Sequence, residues 1–338
     1  MSGERAFVSG GTGFVGANVI RALLEEGREV HALARPGSDR SNLPESDGLR
    51  VFEGDLTRFE SLLPAIRGCS EVYHVAADYR FWARDPSELA RNNVEGTENV
   101  MRAAEEEGAS RVVYTSTVGT IGLSSQPTPA DEATPALTDQ YVIPYKRTKF
   151  AAEEVARRYA RRGLPLVIVN PSTPIGAWDR KPTPTGRMLV DFLNGKLPAY
   201  VRTGLNFIHV RDVAAGHLRA ARRGRVGERY ILGNRNMTMR EFLEILANES
   251  GESAPRLRIP YALAWAAGAA STAWSRVTAR EPSIALDAVR MSRHTMYFDP
   301  GKAVRELGLP QTPLVEAIRE AIDWFRRIGL VNRPQQRR

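Results

Sequence analysis

In the stretch Tyr145-Lys146-Arg147-Thr148-Lys149 a phenol and an ammonium stand four positions apart, the spacing that puts two side chains on one helix face. A phenol titrates near ~10 and is a poor acid or base at neutral pH. A neighbouring ammonium favours the phenolate and lowers that value. The phenol is then suited to give a proton to a carbonyl oxygen or take one from a carbinol. The run Arg111 to Thr117 (RVVYTST) reads as a strand ending in hydroxyls, and either Ser116 or Thr117 would orient the same oxygen. Without such partners the pair is an ordinary helix tyrosine with a solvated lysine one turn on.

Protonating a carbonyl oxygen completes a reduction only if hydride reaches the carbon, which calls for a hydride carrier, and the chain start offers a place for one. Arg5 to Glu26 reads as a short strand (Ala6-Phe7-Val8), a glycine cluster, and a helix whose apolar face is Val15, Val19 and Leu23 with Ile20 and Leu24. Glycines let backbone approach a pyrophosphate, and a helix N-terminus presents free N–H groups to an anion. Two registers fit, Gly11-x-Gly13-x-x-Gly16 and Gly10-x-x-Gly13-x-x-Gly16, with Thr12, Phe14 and Val15 between the glycines.

The next strand ends mark where the rest of a dinucleotide would lie. After the strand Glu29–Ala34 an acidic residue would take the ribose of NAD, and an arginine the 2′-phosphate of NADP. Arg35 stands there, so NADP(H) is expected in preference to NAD(H), with Arg40 as a helper and Asp39 as a competing ribose ligand. A third strand, Leu49–Glu53, runs into Gly54-Asp55-Leu56. Asp55 either accepts from the adenine amino group or caps the helix that follows, near Thr57. The strand Val72–Ala77 ends in small residues, Ala76 among them, that would let backbone lie against the cofactor. Asp78-Tyr79-Arg80-Phe81-Trp82 then makes an aromatic, charged loop that either faces a ligand or packs on the surface.

Further along come long helical patterns at Pro86–Glu107 and Tyr145–Arg162, a proline loop at 127–135, and a strand Leu166–Asn170 leading into Pro171-Ser172. Six strand–helix alternations predict an α/β fold with a doubly wound parallel sheet. Residues 1–175 are read as the cofactor-binding domain, with 205–235 returning to it. Residues 176–204 and 236–330 form a smaller C-terminal substrate lobe, and 331–338 a basic tail. Pro182–Gly186 reads as irregular, Asn206–Val210 as a strand, and Leu314–Ile328 as the last helix. Thr238 with Glu241 makes a capping box for the helix Met239–Ser250. The uncharged run Tyr261–Ser275 is shorter than the roughly 20 residues needed to span a bilayer. It is expected to be a packed core helix rather than a helix lying on a membrane surface.

A hydrophobic content of 42% with 25% charged residues is that of a soluble globular chain. The lone Cys69 allows no internal disulfide and suggests a reducing, cytoplasmic compartment. The first apolar run opens a fold element at once, so no leader is expected. Of 47 basic residues only 5 are lysine, leaving 42 arginines, spread along the chain and densest at Arg326-Arg327 and at Arg333, Arg337 and Arg338. No basic stretch is interleaved with stacking aromatics, so nucleic acid is not expected as a partner. Peripheral contact with anionic lipid is kept as a secondary reading of the net charge of +8. No metal ligand set is assigned.

Gly10-Gly11-Thr12-Gly13-Phe14-Val15-Gly16, Asp55-Leu56, Asn93-Val94-x-Gly96-Thr97, Tyr145-x-x-x-Lys149 and Asn170-Pro171 together resemble the extended short-chain dehydrogenases/reductases over essentially the whole chain. HVAADYRFWARDP, NPSTPIG, KPTPTGRM, FIHVRDVAAGHL and GERYILG are similar to the hopanoid-associated sugar epimerase branch, close to dihydroflavonol-4-reductase-like enzymes. The resemblance implies a Rossmann fold and a homodimer through the two long helices. It implies Tyr145 as acid/base, Lys149 as its partner and cofactor ligand, and Thr117 as third catalytic member where most relatives carry serine, with Ser116 as fallback. It places Gly10, Gly13 and Gly16 along the pyrophosphate, Asp55 and Leu56 at the adenine, and Ala76, Pro171 and Ser172 along the ribose and nicotinamide. The function it implies is transient or net oxidoreduction of a sugar-like or hopanoid-linked carbinol or carbonyl. The alternatives are a dihydroflavonol-4-reductase-like reductase of ketones and aldehydes, and a non-catalytic NADP-binding regulator.

Overall fold

The computed structural model describes residues 5–78, 86–123, 128–136, 144–278 and 286–332. Its strands are β1 (Arg5–Ser9), β2 (Glu29–Ala34), β3 (Leu49–Glu53), β4 (Glu71–His74), β5 (Arg111–Thr115), β6 (Leu166–Pro171), β7 (Thr173–Ile175), β8 (Ala199–Val201), β9 (Gly204–His209), β10 (Arg229–Leu232), β11 (Arg235–Thr238) and β12 (Leu257–Ile259). Seven of them form one sheet in the order β10-β6-β5-β4-β1-β2-β3, every neighbour parallel. The order turns outward on both sides of β1, so a crevice opens at the carboxyl ends of β1 and β4.

The helices are α1 (Phe14–Glu25), α2 (Leu63–Ile66), α3 (Pro86–Ala90), α4 (Gly96–Glu106), α5 (Pro144–Arg161), α6 (Pro184–Leu193), α7 (Val210–Arg223), α8 (Met239–Ser250), α9 (Tyr261–Thr278), α10 (Leu286–Ser292) and α11 (Leu314–Arg327). Alternation along the strands sends side chains to both faces of the sheet. Ala6, Val8, Tyr73 and Val113 meet Ile20 and Leu23 of α1 and Val213 and Leu218 of α7 on one side. Phe7, Val72, Val112 and Tyr114 meet Val100 and Met101 of α4 and Val155 of α5 on the other. This is the doubly wound Rossmann-like arrangement expected from the strand–helix alternation.

After β6 the chain leaves the sheet. β7 and β9 pair in parallel and β9 with β11 antiparallel, and β8 pairs with β12 in a two-stranded piece. Leu189 and Phe192 of α6, Phe242 and Leu246 of α8, and Ile318, Ile322 and Phe325 of α11 build a separate core around them. The Thr238–Glu241 capping box is formed, with both reciprocal bonds in place.

Several expectations are corrected. Helix α6 begins at Pro184 inside the stretch read as irregular, because the Thr183 hydroxyl caps the Gly186 N–H and proline suits the first helical position. The long helix 86–107 is interrupted by a π turn at Arg91–Glu95. The strand expected over 72–77 stops at His74, and that over 111–117 stops at Thr115. Most importantly, α9 is not a core helix. Among its described side chains only Ala264, Gly268 and Ser275 are buried, while Leu263, Trp265 and Trp274 are exposed. Apolar composition alone does not say whether a face meets the protein's own core or something outside it. Tyr79, Arg80, Phe81, Trp82, Pro127 and the tail arginines 333, 337 and 338 lie outside the described residues.

Candidate active site

The glycine turn is built for close approach. Gly10 adopts φ +73, and a Cβ there would lie 2.7 Å from the Ala76 backbone. A Cβ on Gly16 would lie 2.1 Å from the Gly10 carbonyl oxygen, so helix α1 can pack onto the turn only with glycine at that position. Gly13 is the N-cap of α1 and lacks a side chain to satisfy the first-turn N–H groups. Those N–H groups at the start of α1, Phe14 and Val15 among them, are therefore left uncapped by a side chain, the electropositive helix terminus that suits an anion such as a pyrophosphate. At Gly10 and Gly16 the obstacle is backbone; at Gly11 a Cβ would meet side chains, the end of Ile20 at 2.4 Å with Leu43 and Ala32 beyond it, and at Gly13 it would lie 3.3 Å from the Gly10 carbonyl oxygen. The structure favours the Gly10-x-x-Gly13-x-x-Gly16 register.

Opposite the turn, the Ser9 hydroxyl accepts from the N–H groups of Val75 and Ala76, each at 3.2 Å, and lies 2.7 Å from Nδ1 of His74. Nε2 of His74 lies 3.1 Å from the Thr97 hydroxyl, which donates to the Asn93 carbonyl at 2.6 Å. With the His74 proton on Nε2, each donor in this chain meets an acceptor. Burial drives the His74 pKa down to about 3, with the Lys149 cation adding to the shift, so the ring is neutral. The network fixes Ala76 against Gly10.

At the adenine end, Asp55 Oδ1 accepts from the N–H and hydroxyl of Thr57 at 2.9 and 2.8 Å. Burial favours its protonated form, but these hydrogen bonds and the Arg35 and Arg58 cations outweigh it and hold the carboxyl below its ordinary value. Asp55 thus closes a turn onto Thr57 rather than capping a helix, since the short helix that follows, Phe59–Ser61, starts at Arg58 without a side-chain cap. Leu56 packs against Gly96, and Asn99 donates to its carbonyl at 2.8 Å. Arg35 is exposed past the end of β2. Arg40 is ion-paired with Glu53, and Asp39 accepts from Ser41 and bridges Arg180 at 3.3 Å. Among the described residues Arg35 makes no ion-pair contact with a carboxylate, although its charge is felt at Asp55.

On α5, Tyr145, Lys149 and Glu153 recur at four-residue spacing. Lys149 is buried; its Nζ donates to the Thr115 carbonyl at 2.8 Å and to the Tyr114 hydroxyl at 3.2 Å. Burial lowers its pKa to about 8, with the Glu153 carboxylate opposing. Tyr145 is half-buried and close enough to Tyr114 to raise the latter's titration further. The helix is pinned one turn on: Asn93 donates to the Thr148 hydroxyl at 3.0 Å, and Thr148 to the Tyr145 carbonyl at 2.9 Å. Asn93 also grips Asp78 through both its N–H and its carbonyl, tying the end of the β4 loop to α5.

The strand-end hydroxyls divide. Ser116 is buried and donates to Glu153 at 2.5 Å. Thr117 turns the other way, capping the short turn Val118–Thr120 by accepting from the Gly119 N–H at 3.1 Å. Among the described residues it donates to none. The fallback residue Ser116 is therefore committed to the interior, and Thr117 is the hydroxyl left at the rim. Pro171 ends β6, and the Ser172 hydroxyl beside it is buried without a partner among the described residues, as expected of a group awaiting a ligand.

Some contributors were not anticipated. Glu153 accepts from Ser116, Thr120 and Asn170, with Arg157 and Arg229 completing its charge. Lys146 is buried beside Gly119 with its pKa lowered by burial. Asn42 bridges the carbonyls of Thr12 and Trp178 at 3.2 and 3.0 Å, joining the glycine turn to the smaller lobe. Glu153 alone had a local signal, being one more step of the four-residue spacing. Among the described residues no cluster of metal-binding side chains is present.

The family model described as NAD dependent epimerase/dehydratase matches residues 6–233. A protein of Synechocystis sp. named as dihydroflavonol 4-reductase-like is 44% identical over 96% of this chain and 95% of its own length. Sterol demethylase protein B of Methylococcus capsulatus is 35% identical over 96% of this chain and 99% of its own. Among solved structures, a nucleoside-diphosphate-sugar epimerase from Pseudomonas aeruginosa superposes with a TM-score of 0.78 at 28% identity, covering 97% of this chain and 99% of its own.

Proposed function

This chain belongs to the NAD dependent epimerase/dehydratase family, and on that premise we propose that it is an NADP(H)-linked oxidoreductase of a sugar-like carbinol or carbonyl. The substrate class suggested by the sequence resemblance is the polyol of a hopanoid side chain. When bound, the nicotinamide supplies or takes the hydride. In this reading residues 1–175 hold the cofactor. Gly10, Gly13 and Gly16, with the N–H groups of Thr12, Phe14 and Val15, cradle the pyrophosphate. Arg35 meets the 2′-phosphate, Asp55 and Leu56 the adenine, and Ala76, Pro171 and Ser172 the ribose and nicotinamide.

Tyr145 gives its proton to the substrate oxygen as charge grows there, or takes it back in the reverse direction. Lys149 stabilises the phenolate so formed and reaches the nicotinamide ribose. Thr117 donates to the same substrate oxygen and sets its direction. The observation that supports this assignment is Lys149: a cation buried against the end of β5, one helical turn from Tyr145. Burial costs free energy that a merely structural lysine would avoid by reaching solvent.

The Synechocystis relative favours a second reading, net reduction of a ketone or aldehyde with NADPH. A non-catalytic NADP-binding regulator would have no use for Tyr145 and Lys149, and both are kept. The proposal includes a cytoplasmic homodimer joined through α4 and α5, and peripheral contact with a membrane. Two incubations separate the two enzyme readings: a ketone or aldehyde with NADPH, and a polyol carbinol with NADP+. Loss of NADPH absorbance signals reduction; stereochemical change without consumption signals epimerisation. Tyr145→Phe is expected to abolish either while cofactor binding persists, and unchanged turnover would remove Tyr145 from the mechanism.

A further inference from the structure

Helix α9 runs for 18 residues, about 27 Å, along the outside of the smaller lobe. Its buried strip is narrow: Ala264 and Gly268 pack toward α10, where a Cβ on Gly268 would come 3.1 Å from Val289 and 3.3 Å from Leu286. The exposed residues of α9 are Ala262, Leu263, Trp265, Ala266, Ala267, Ala270, Ala273 and Trp274, all apolar, among those described. Leu263 is 63% exposed, Trp265 45% and Trp274 68%, with alanines between them, and Leu257 on the preceding strand β12 is 65% exposed. From Ser253 to Arg280 the chain has no aspartate or glutamate, and its charges are Arg256, Arg258, Arg276 and Arg280 at the two ends. Arg256 and Arg258 are exposed beside Leu257.

A large exposed apolar face on a monomeric surface marks an interaction site. From this patch we infer that α9 and β12 form the face by which the protein lies on an anionic lipid bilayer. Tryptophans with leucine on one side and arginines at the ends are what an interfacial helix requires: rings at headgroup depth, aliphatic side chains below, guanidinium groups on the phosphates. A second copy of the chain would bring arginine against arginine, whereas anionic headgroups complement the charge. Among the described residues no helix is long and apolar enough to cross a membrane, so α9 lies in the interface plane. This deepens the peripheral contact included in the proposed function and is independent of its chemistry.

Flotation of the full-length protein with phosphatidylcholine vesicles, with and without phosphatidylglycerol, tests it in the absence of cofactor and substrate. The wild type is expected to float with the anionic vesicles, less so at high salt. Trp265→Gln with Trp274→Gln should weaken binding tenfold or more, as should Arg256→Gln with Arg258→Gln. All four positions are exposed, so unchanged thermal melting will accompany the loss. No binding to anionic vesicles, or binding untouched by the tryptophan pair, overturns the inference. So does a dimer in sedimentation without lipid that the tryptophan pair converts to monomer, since the face would then be an interface between copies. Because no turnover is read, either result leaves the hydride-transfer proposal to its own test.

Discussion

The Ser116 hydroxyl donates to the buried Glu153 carboxylate at 2.5 Å, and the proposed mechanism accordingly gives the catalytic role to the neighbouring Thr117. Removing the Ser116 hydroxyl with Ser116→Ala is expected to destabilise the fold by about 1–3 kcal/mol, because a buried charge loses a donor. Turnover per folded molecule should stay near wild type. Thr117→Ala should do the opposite: a small loss of stability, about 1 kcal/mol from the lost cap on Gly119, with kcat lowered by about 10²-fold, and Thr117→Ser within a few-fold of wild type. Chemical denaturation and steady-state kinetics on the same preparations check both.

The buried Lys149 ammonium, at about pKa 8 against an ordinary 10.5, predicts two pH dependences. Activity that needs the charged amine should fall as pH rises through about 8. Stability should move the other way. Between about 8 and 10.5 the unfolded chain binds more protons at this site than the folded one, so the fold gains stability with rising pH, by at most about 3 kcal/mol. Comparing the melting slopes of wild type and Lys149→Met over pH 8–10 isolates the contribution.

Arg35 predicts cofactor preference. In the proposed NADP(H) reading it is the guanidinium that meets the 2′-phosphate, Arg40 being paired with Glu53 and Asp39 with Arg180. Arg35→Ser is expected to lower the ratio of kcat/KM for NADPH over NADH at least tenfold, about 1.4 kcal/mol, with little change in the NADH value.

Two buried neutral histidines predict sensitivity to acid. Burial lowers His74 to about 3 and His217 to about 4; the latter lies between the Thr115 hydroxyl at 2.9 Å and the Val213 carbonyl at 2.7 Å. Both folded values lie below the ordinary 6.5, so above that pH neither affects stability. As pH falls below 6.5 the unfolded chain takes up their protons first, and stability drops by roughly 1.4 kcal/mol per unit for each ring. Urea midpoints at pH 7 and pH 5 should differ accordingly, while the two ring resonances stay untitrated in the folded protein.

What the sequence disclosed was whatever depends on near neighbours. The Gly10, Gly13 and Gly16 requirement is local backbone geometry, and the Tyr145–Lys149 pairing is helix spacing. That Ser116 is engaged by Glu153 was hidden because the two lie 37 residues apart along the chain. The roles of Asn93 and Asn42 were hidden for the same reason: each joins segments distant in sequence. The exposure of α9 was misread because alanine and tryptophan suit a core and an outer apolar face equally well.

The return of β10 to the edge of the main sheet has a practical consequence. β6 is buried along its whole length and uses β10 as its outer neighbour, so the polypeptide must travel through the smaller lobe before its largest sheet is complete. Cutting the gene after residue 175 would therefore expose a bare, apolar strand edge and yield an aggregating fragment, not a miniature dinucleotide-binding protein. Any engineering that grafts a new specificity onto this scaffold has to exchange the intervening loops and leave that final strand in place.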